Sequence, residues 1–146
     1  MNDAEFKQVK DWCRNAVDAW VKRLCLSHYD IDLIWERGTN PDSPRGMACV
    51  TSDWRYLHAT ITFWCPVIFE NFKGGAPEDP DYMLTLVIHE LTHILVGEMR
   101  EWANPDNNPL DHEERVVTDL SRRLLNLYKL GIEENEGPWT WKVKNS

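Results

Sequence analysis

"LVIHELTHILVG", residues 86–97, sets two histidines, His89 and His93, four positions apart, with Glu90 directly behind the first. The residues around them are apolar or small. At about 100° per residue on a helix, Val87, Ile88, Leu91, Ile94 and Leu95 fall between about 140° and 260° from His89. One side of such a helix faces a core, and the opposite side carries both histidines to a cleft. Two histidines packed inside a core would lie within the apolar sector instead. The rest of the chain has to supply the layer against which this helix packs.

Upstream, Phe6, Val9, Cys13, Ala16, Val17, Trp20, Val21 and Leu24 recur at helical spacing and predict an amphipathic helix over residues 3–25, with Asp3 able to cap its start. "IDLIWE" (31–36), "MACVTS" (47–52) and "RYLHATITFW" (55–64) read as three half-buried strands. In the last, Leu57, Ala59, Ile61 and Phe63 face one way. The turn-rich "GTNPDSPRG" (38–46) separates the first two, and the short links favour antiparallel neighbours. "ENFKGGAPEDPD" (70–81) reads as a loop, and Asp79-Pro80 opens the motif helix, which should stop near Gly97. The Pro- and Asn-rich stretch 100–111 reads as irregular. A third helix is expected from Asp111 to about Leu130, ending at Gly131. The order helix, three strands, helix, helix is α+β. It gives a single domain over residues 1–132 and a tail, 133–146, that docks through Trp139 and Trp141.

The 146 residues suffice for one core, and 42% hydrophobic with 27% charged residues is a globular composition. The longest apolar run, around 83–96, is interrupted by Thr85, His89, Glu90, Thr92 and His93, which excludes a bilayer span. The first residues lack a signal-peptide pattern, which favours a cytoplasmic location. Cys13, Cys25, Cys49 and Cys65 form no C-x-x-C pair, so a cysteine-type zinc site is disfavoured and buried reduced thiols are expected. A net charge of −8 argues against a nucleic-acid partner. Oligomeric state is not legible.

Side chains four apart on a helix project from one face, so His89 and His93 can share an ion about 2.0–2.1 Å from each ring nitrogen. Glu90 lies about 100° round the helix, beside the ion but off it, where its carboxylate can take a proton from a water. This division of labour accompanies the H-E-x-x-H spacing in zinc hydrolases, which chance places in roughly one chain of this length in a few hundred. A third ligand is required. His112, Glu113 and Glu114 follow 19 to 21 positions after His93, in "LDHEERVVTDLSRRLL". Val116, Val117, Leu120, Leu124, Leu127 and Tyr128 outline the buried side of that helix. Glu113 falls near the centre of the stripe, where a carboxylate is costly unless metal-bound. Glu114 lies about 90–100° off, on the flank that suits a metal at the edge of a core. Glu114 is preferred and Glu113 stays open; Glu114 could also complete a capping box with Asp111.

"VIHELTHILV" followed by "EERVVTDLSRRL" resembles the zincin metallopeptidases of gluzincin type. The similarity is closest to small phage-encoded metallopeptidases and to the repressor-cleaving zincins of mobile elements, over residues 55–130. Val96 and Met99 stand where the metzincin pattern requires glycine and histidine. The resemblance implies a minimal zincin-like fold: an N-terminal helix, a three-stranded mainly antiparallel sheet, an active-site helix and a C-terminal glutamate helix. It also implies Zn2+ held by His89, His93 and Glu114, with Glu90 as general base in peptide hydrolysis. Thr118 and Asp119 do not reproduce the gluzincin E-x-x-x-D spacing after Glu114. By position the strand 55–64 is the expected peptide-binding edge, and His112, Tyr82 and His58 are candidate oxyanion donors. The expected partner is a peptide or protein substrate. The rival reading is a zincin fold that binds a protein partner without cleaving it, a role in which Glu90 has no use.

Overall fold

The computed structural model describes residues 1–73, 81–102 and 109–135, and within the helices the side chains of 72–73, 81–82, 98–102, 109–112 and 132–135 are excepted. The described chain is α+β. Its elements are α1 (Asp3–Arg23), β1 (Asp30–Glu36), β2 (Ala48–Asp53), β3 (His58–Trp64), α2 (Cys65–Lys73), α3 (Asp81–Trp102) and α4 (Pro109–Asn135). Asn2, rather than Asp3, caps α1: its Oδ1 accepts from the Glu5 amide, while Glu5 Oε2 accepts from the Asn2 amide. The expected α1 stripe is realised, with Val9, Cys13, Ala16, Val17 and Trp20 buried.

The sheet order is β1-β3-β2, with β1 parallel to β3 and β2 antiparallel to it. The sheet is therefore mixed, not mainly antiparallel. Residues 37–47 are too long for a tight hairpin. They carry the chain past the end of β3, from one edge of the sheet to the other, roughly 10 Å away at strand spacing. β3 takes the centre because it tolerates two neighbours. Ala59, Ile61 and Phe63 are fully buried on its inner face, and β-branched Thr60 and Thr62 fill the outer one. β1 instead alternates Asp30, Asp32 and Glu36 along its exposed side. Residues 55–57 belong to the β2–β3 turn, not to the strand, and Leu57 takes φ 52° there and is exposed.

α1 and α3 pack together, α3 also lies against β2 and α4, and the core gathers where they meet β3. Three expectations about helices are corrected. α2 lies partly in a stretch read as loop, with Pro66 in its first turn and Cys65 and Ile68 buried. α3 does not stop at Gly97 but runs to Trp102, because the glycine serves packing: a Cβ there would come within 2.8 Å of Ser52 Oγ on β2. α4 opens at Pro109, a residue suited to a first helical turn, and continues through Gly131 to Asn135. Residues 100–102 and 109–111 are thus helical, and Asp111 lies inside α4 rather than capping it. Asp79-Pro80 and Trp139 and Trp141 lie outside the described residues. No described helix is long and apolar enough to cross a membrane.

Candidate metal centre

α3 presents His89 and His93 on the side expected for a cleft, with Val87, Ile88, Leu91 and Ile94 buried behind them, whereas Leu95, expected in the same sector, is exposed. α4 crosses this face with its N-terminal turns. Its buried line runs through Val117, Ser121 and Leu125, rotated slightly from the expected stripe, so that Val116 and Leu127 are exposed. Glu113 precedes Val117 by one turn and points inward, its side chain 8% exposed. Glu114, one residue on, sits on the flank at 59%.

Three side chains converge. His89 Nε2 and His93 Nε2 are 3.2 Å apart, His93 Nε2 and Glu114 Oε1 3.2 Å, and His89 Nε2 and Glu114 Oε2 3.4 Å. Ligand atoms about 2.0–2.1 Å from a tetrahedral ion stand about 3.3–3.4 Å from one another. The triangle has that size. The donor set agrees with it. Glu113 Oε1 lies 2.7 Å from His93 Nδ1, so the proton of that ring belongs on Nδ1 and the Nε2 lone pair faces the triangle. That lone pair and the Glu114 carboxylate are both electron-rich, and a cation between them satisfies both. His89, His93 and Glu114 form a group that could hold a metal ion. Glu113 supplies the carboxylate behind the histidine that metal-binding imidazoles ordinarily have. The sequence left Glu113 and Glu114 as rivals for one position; the structure gives each its own place.

Glu90 is 5% exposed and its carboxyl is pushed up to about 8, chiefly by burial and then by the Glu114 charge. A cation in the triangle would draw it back down. Burial, then the neighbouring His93, lowers the His89 pKa against the opposing effect of Glu114, a direction that favours the neutral imidazole a ligand needs.

The cleft at the triad has a volume of about 340 Å³, and its far wall is β2, through Ala48, Cys49 and Val50. Side chains alternate between sheet faces, so three consecutive residues lining one cleft mean that the strand's edge faces it. Hydrogen bonding agrees. Trp64 N donates to Met47 O at 2.9 Å, so Met47, Cys49 and Thr51 turn their backbone groups toward β3. Ala48 and Val50 turn theirs the other way, toward the cleft. The expectation that the strand 55–64 forms the binding edge is therefore overturned: β3 is paired on both sides. The sequence held a signal for β2 only in the length of its preceding connector.

His58 is no oxyanion donor here. It sits on the outer sheet face, where its Nε2 lies 3.3 Å from Asp32 Oδ2. The side chains of Tyr82 and His112 lie outside the described residues. Cys49 and Cys25 are exposed and only Cys13 and Cys65 are buried, against the expectation of four buried thiols; all four are free. Compared with protein-family models, with curated proteins and with solved structures, the chain finds no match in any of the three.

Proposed function

We propose that the chain is a zinc-dependent peptidase of zincin type. The observation that carries this is the 3.2–3.4 Å triangle of His89, His93 and Glu114 with the buried Glu90 carboxyl beside it. Two imidazoles and one carboxylate, with a fourth position open to the cleft, are a catalytic zinc donor set. His89, His93 and Glu114 would hold the zinc, which would supply Lewis acidity toward a scissile carbonyl and toward the attacking water. Glu90 takes the proton of the attacking water on a carboxylate oxygen and passes it to the leaving amine. Glu113 holds His93 through Nδ1 and fixes which ring nitrogen faces the cleft. The substrate lies extended along β2, exchanging backbone hydrogen bonds with Ala48 and Val50.

The test is Glu90→Gln. Glutamine has nearly the same shape and Glu90 lies outside the ligand triangle, so zinc content and fold persist. Hydrolysis of unfolded protein substrates falls by at least about 10²–10⁴-fold, because an amide accepts no proton from water. A Glu90→Gln protein that keeps both zinc and full cleavage removes the assigned base. A wild type that holds zinc yet cleaves nothing favours the non-cleaving binding module.

A further inference from the structure

The cleft does not end at the triad. Toward the N-terminal end of β2 it continues into a second arm of about 290 Å³, which shares Ala48, His89 and Glu90 with the first. The two arms meet at His89 and Glu90, with His93 and Glu114 on the wall of the first. Met47 and Leu86 give the second arm apolar walls, Thr85 adds a hydroxyl, and Arg45 stands at its mouth. Among the described residues, Arg45 is the only lysine or arginine along either arm; the other ionisable groups described there are His89, His93, Cys49, Glu90, Glu113 and Glu114. Among the described residues its guanidinium is engaged in no ion pair.

The backbone that carries Arg45 is fixed on both sides. Asp42 N donates to Asn40 Oδ1 at 2.9 Å, and Gly46 N donates to Ser43 O at 2.7 Å, closing a turn around Pro44 and Arg45. Gly46 fits where a Cβ would come within 3.0 Å of Asn40 Nδ2 and 3.1 Å of Ser43 O. The chain then passes directly into the ladder at Met47. Arg45 thus has a set backbone place at the wall of the second arm, and its guanidinium offers five donors there.

We propose that Arg45 selects substrates carrying a carboxylate near the bond that is cut, either an acidic side chain or the peptide's own C-terminus. This rests on the peptidase reading above. A guanidinium matches a carboxylate with two parallel hydrogen bonds, whereas an amide offers it only one neutral acceptor. Arg45 precedes Ala48 by three residues, a span of chain that reaches at most about 10–11 Å. The selected carboxylate therefore lies within about three substrate residues of the scissile bond. A peptide antiparallel to β2 places it on the C-terminal side of that bond. The preference is local: with a net charge of −8, the chain as a whole repels acidic peptides.

The experiment uses terminally blocked, fluorescein-tagged decapeptide pools, randomised except for one position fixed as Glu, Gln or Lys. A matching pool with a free C-terminal carboxylate distinguishes the two sources of the group. Zinc-loaded wild type and Arg45→Glu are compared for cleavage by mass spectrometry. The same substitution in a Glu90→Gln background is compared for binding by fluorescence anisotropy. Expected is a preference for Glu over Gln of up to about fivefold, the upper end for one exposed charge pair, within three positions of the cut and on one side only. Arg45→Glu should reverse it in favour of Lys. If the free-terminus pool alone shows the effect, the recognised group is the chain end. A preference that is absent, or is unchanged in Arg45→Glu, overturns the proposal and leaves the peptidase reading standing. Charge-dependent binding without any cleavage does the converse, and no binding of any pool overturns the proposal as well.

Discussion

Glu113→Gln separates the two adjacent glutamates. Glu113 Oε1 accepts from His93 Nδ1 at 2.7 Å, and both side chains are about nine-tenths buried. Glutamine can still offer a carbonyl oxygen to Nδ1–H, but it loses the charge, and a charge-assisted hydrogen bond is roughly twice as strong as a neutral one. Removing a carboxylate behind a metal-binding histidine costs about 10–100-fold in affinity, or about 1.4–2.8 kcal/mol. Glu113→Gln belongs at the lower end of that range and Glu113→Ala at the upper. Glu114→Ala removes a ligand outright and should exceed both. Zinc affinity is read by competition with a chromophoric chelator at fixed pH. Metal-free stability supplies a second axis. Glu113→Ala leaves a buried Nδ1–H without its partner, a loss of about 1–3 kcal/mol. Glu114 is 59% exposed, so its removal costs within about 0.5 kcal/mol in urea unfolding. If Glu113→Gln binds zinc like wild type, or if Glu113→Ala loses more zinc affinity than Glu114→Ala, the assignment of the two carboxylates is wrong.

His89→Ala and His93→Ala should each abolish stoichiometric zinc binding, measured by elemental analysis; full occupancy in either removes that imidazole from the site. Gly131→Ala should stabilise the protein by about 0.5–1 kcal/mol, since the residue is helical and an added Cβ meets nothing within 4 Å. Gly97→Ala should lose that gain to the contact with Ser52 Oγ, and Ser52→Ala should restore it, so a double-mutant cycle in thermal unfolding should show coupling between the two positions. Thiol reagents should modify Cys25 and Cys49 in the native state. Cys13 and Cys65 should react only on unfolding, because burial pushes both thiols up, Cys65 to about 11; native labelling of all four would contradict the packing around α1 and α2.

Periodicity alone located α1, the three strands and the two long helices, because each buries one face and repeats its apolar residues accordingly. Strand order was not legible by that route. Alternation tells which residues of β1, β2 and β3 face the core, but nothing in it says that β3 lies between the others. The carboxylates along the outer face of β1 suit an edge strand, but β2 carries no such line, so the pattern does not choose between β2 and β3 for the centre. The two helical glycines failed as stop signals for separate reasons. Gly97 marks a close approach of α3 to β2, a contact between residues 45 positions apart that no local pattern contains. At Gly131 an added Cβ would meet nothing within 4 Å, and α4 simply runs through it. Pro109 misled in the opposite sense, since a proline that looks like a breaker is also suited to opening a helix.

The glutamates show where sequence reasoning about a site reaches its limit. Helix geometry placed Glu113 inward and Glu114 on the flank, and the side-chain exposures of 8% and 59% agree. The weak step was the premise that a buried carboxylate must be a metal ligand. Burial demands a charged or hydrogen-bonding partner, and the far nitrogen of a histidine serves as well as a metal ion. Because α4 crosses α3 over His93, consecutive residues can reach opposite nitrogens of the same ring: Glu113 at Nδ1, 2.7 Å away, and Glu114 at Nε2, 3.2 Å away. One imidazole is thereby held from both ends, with its proton on the side of Glu113 and its lone pair on the side of the cleft.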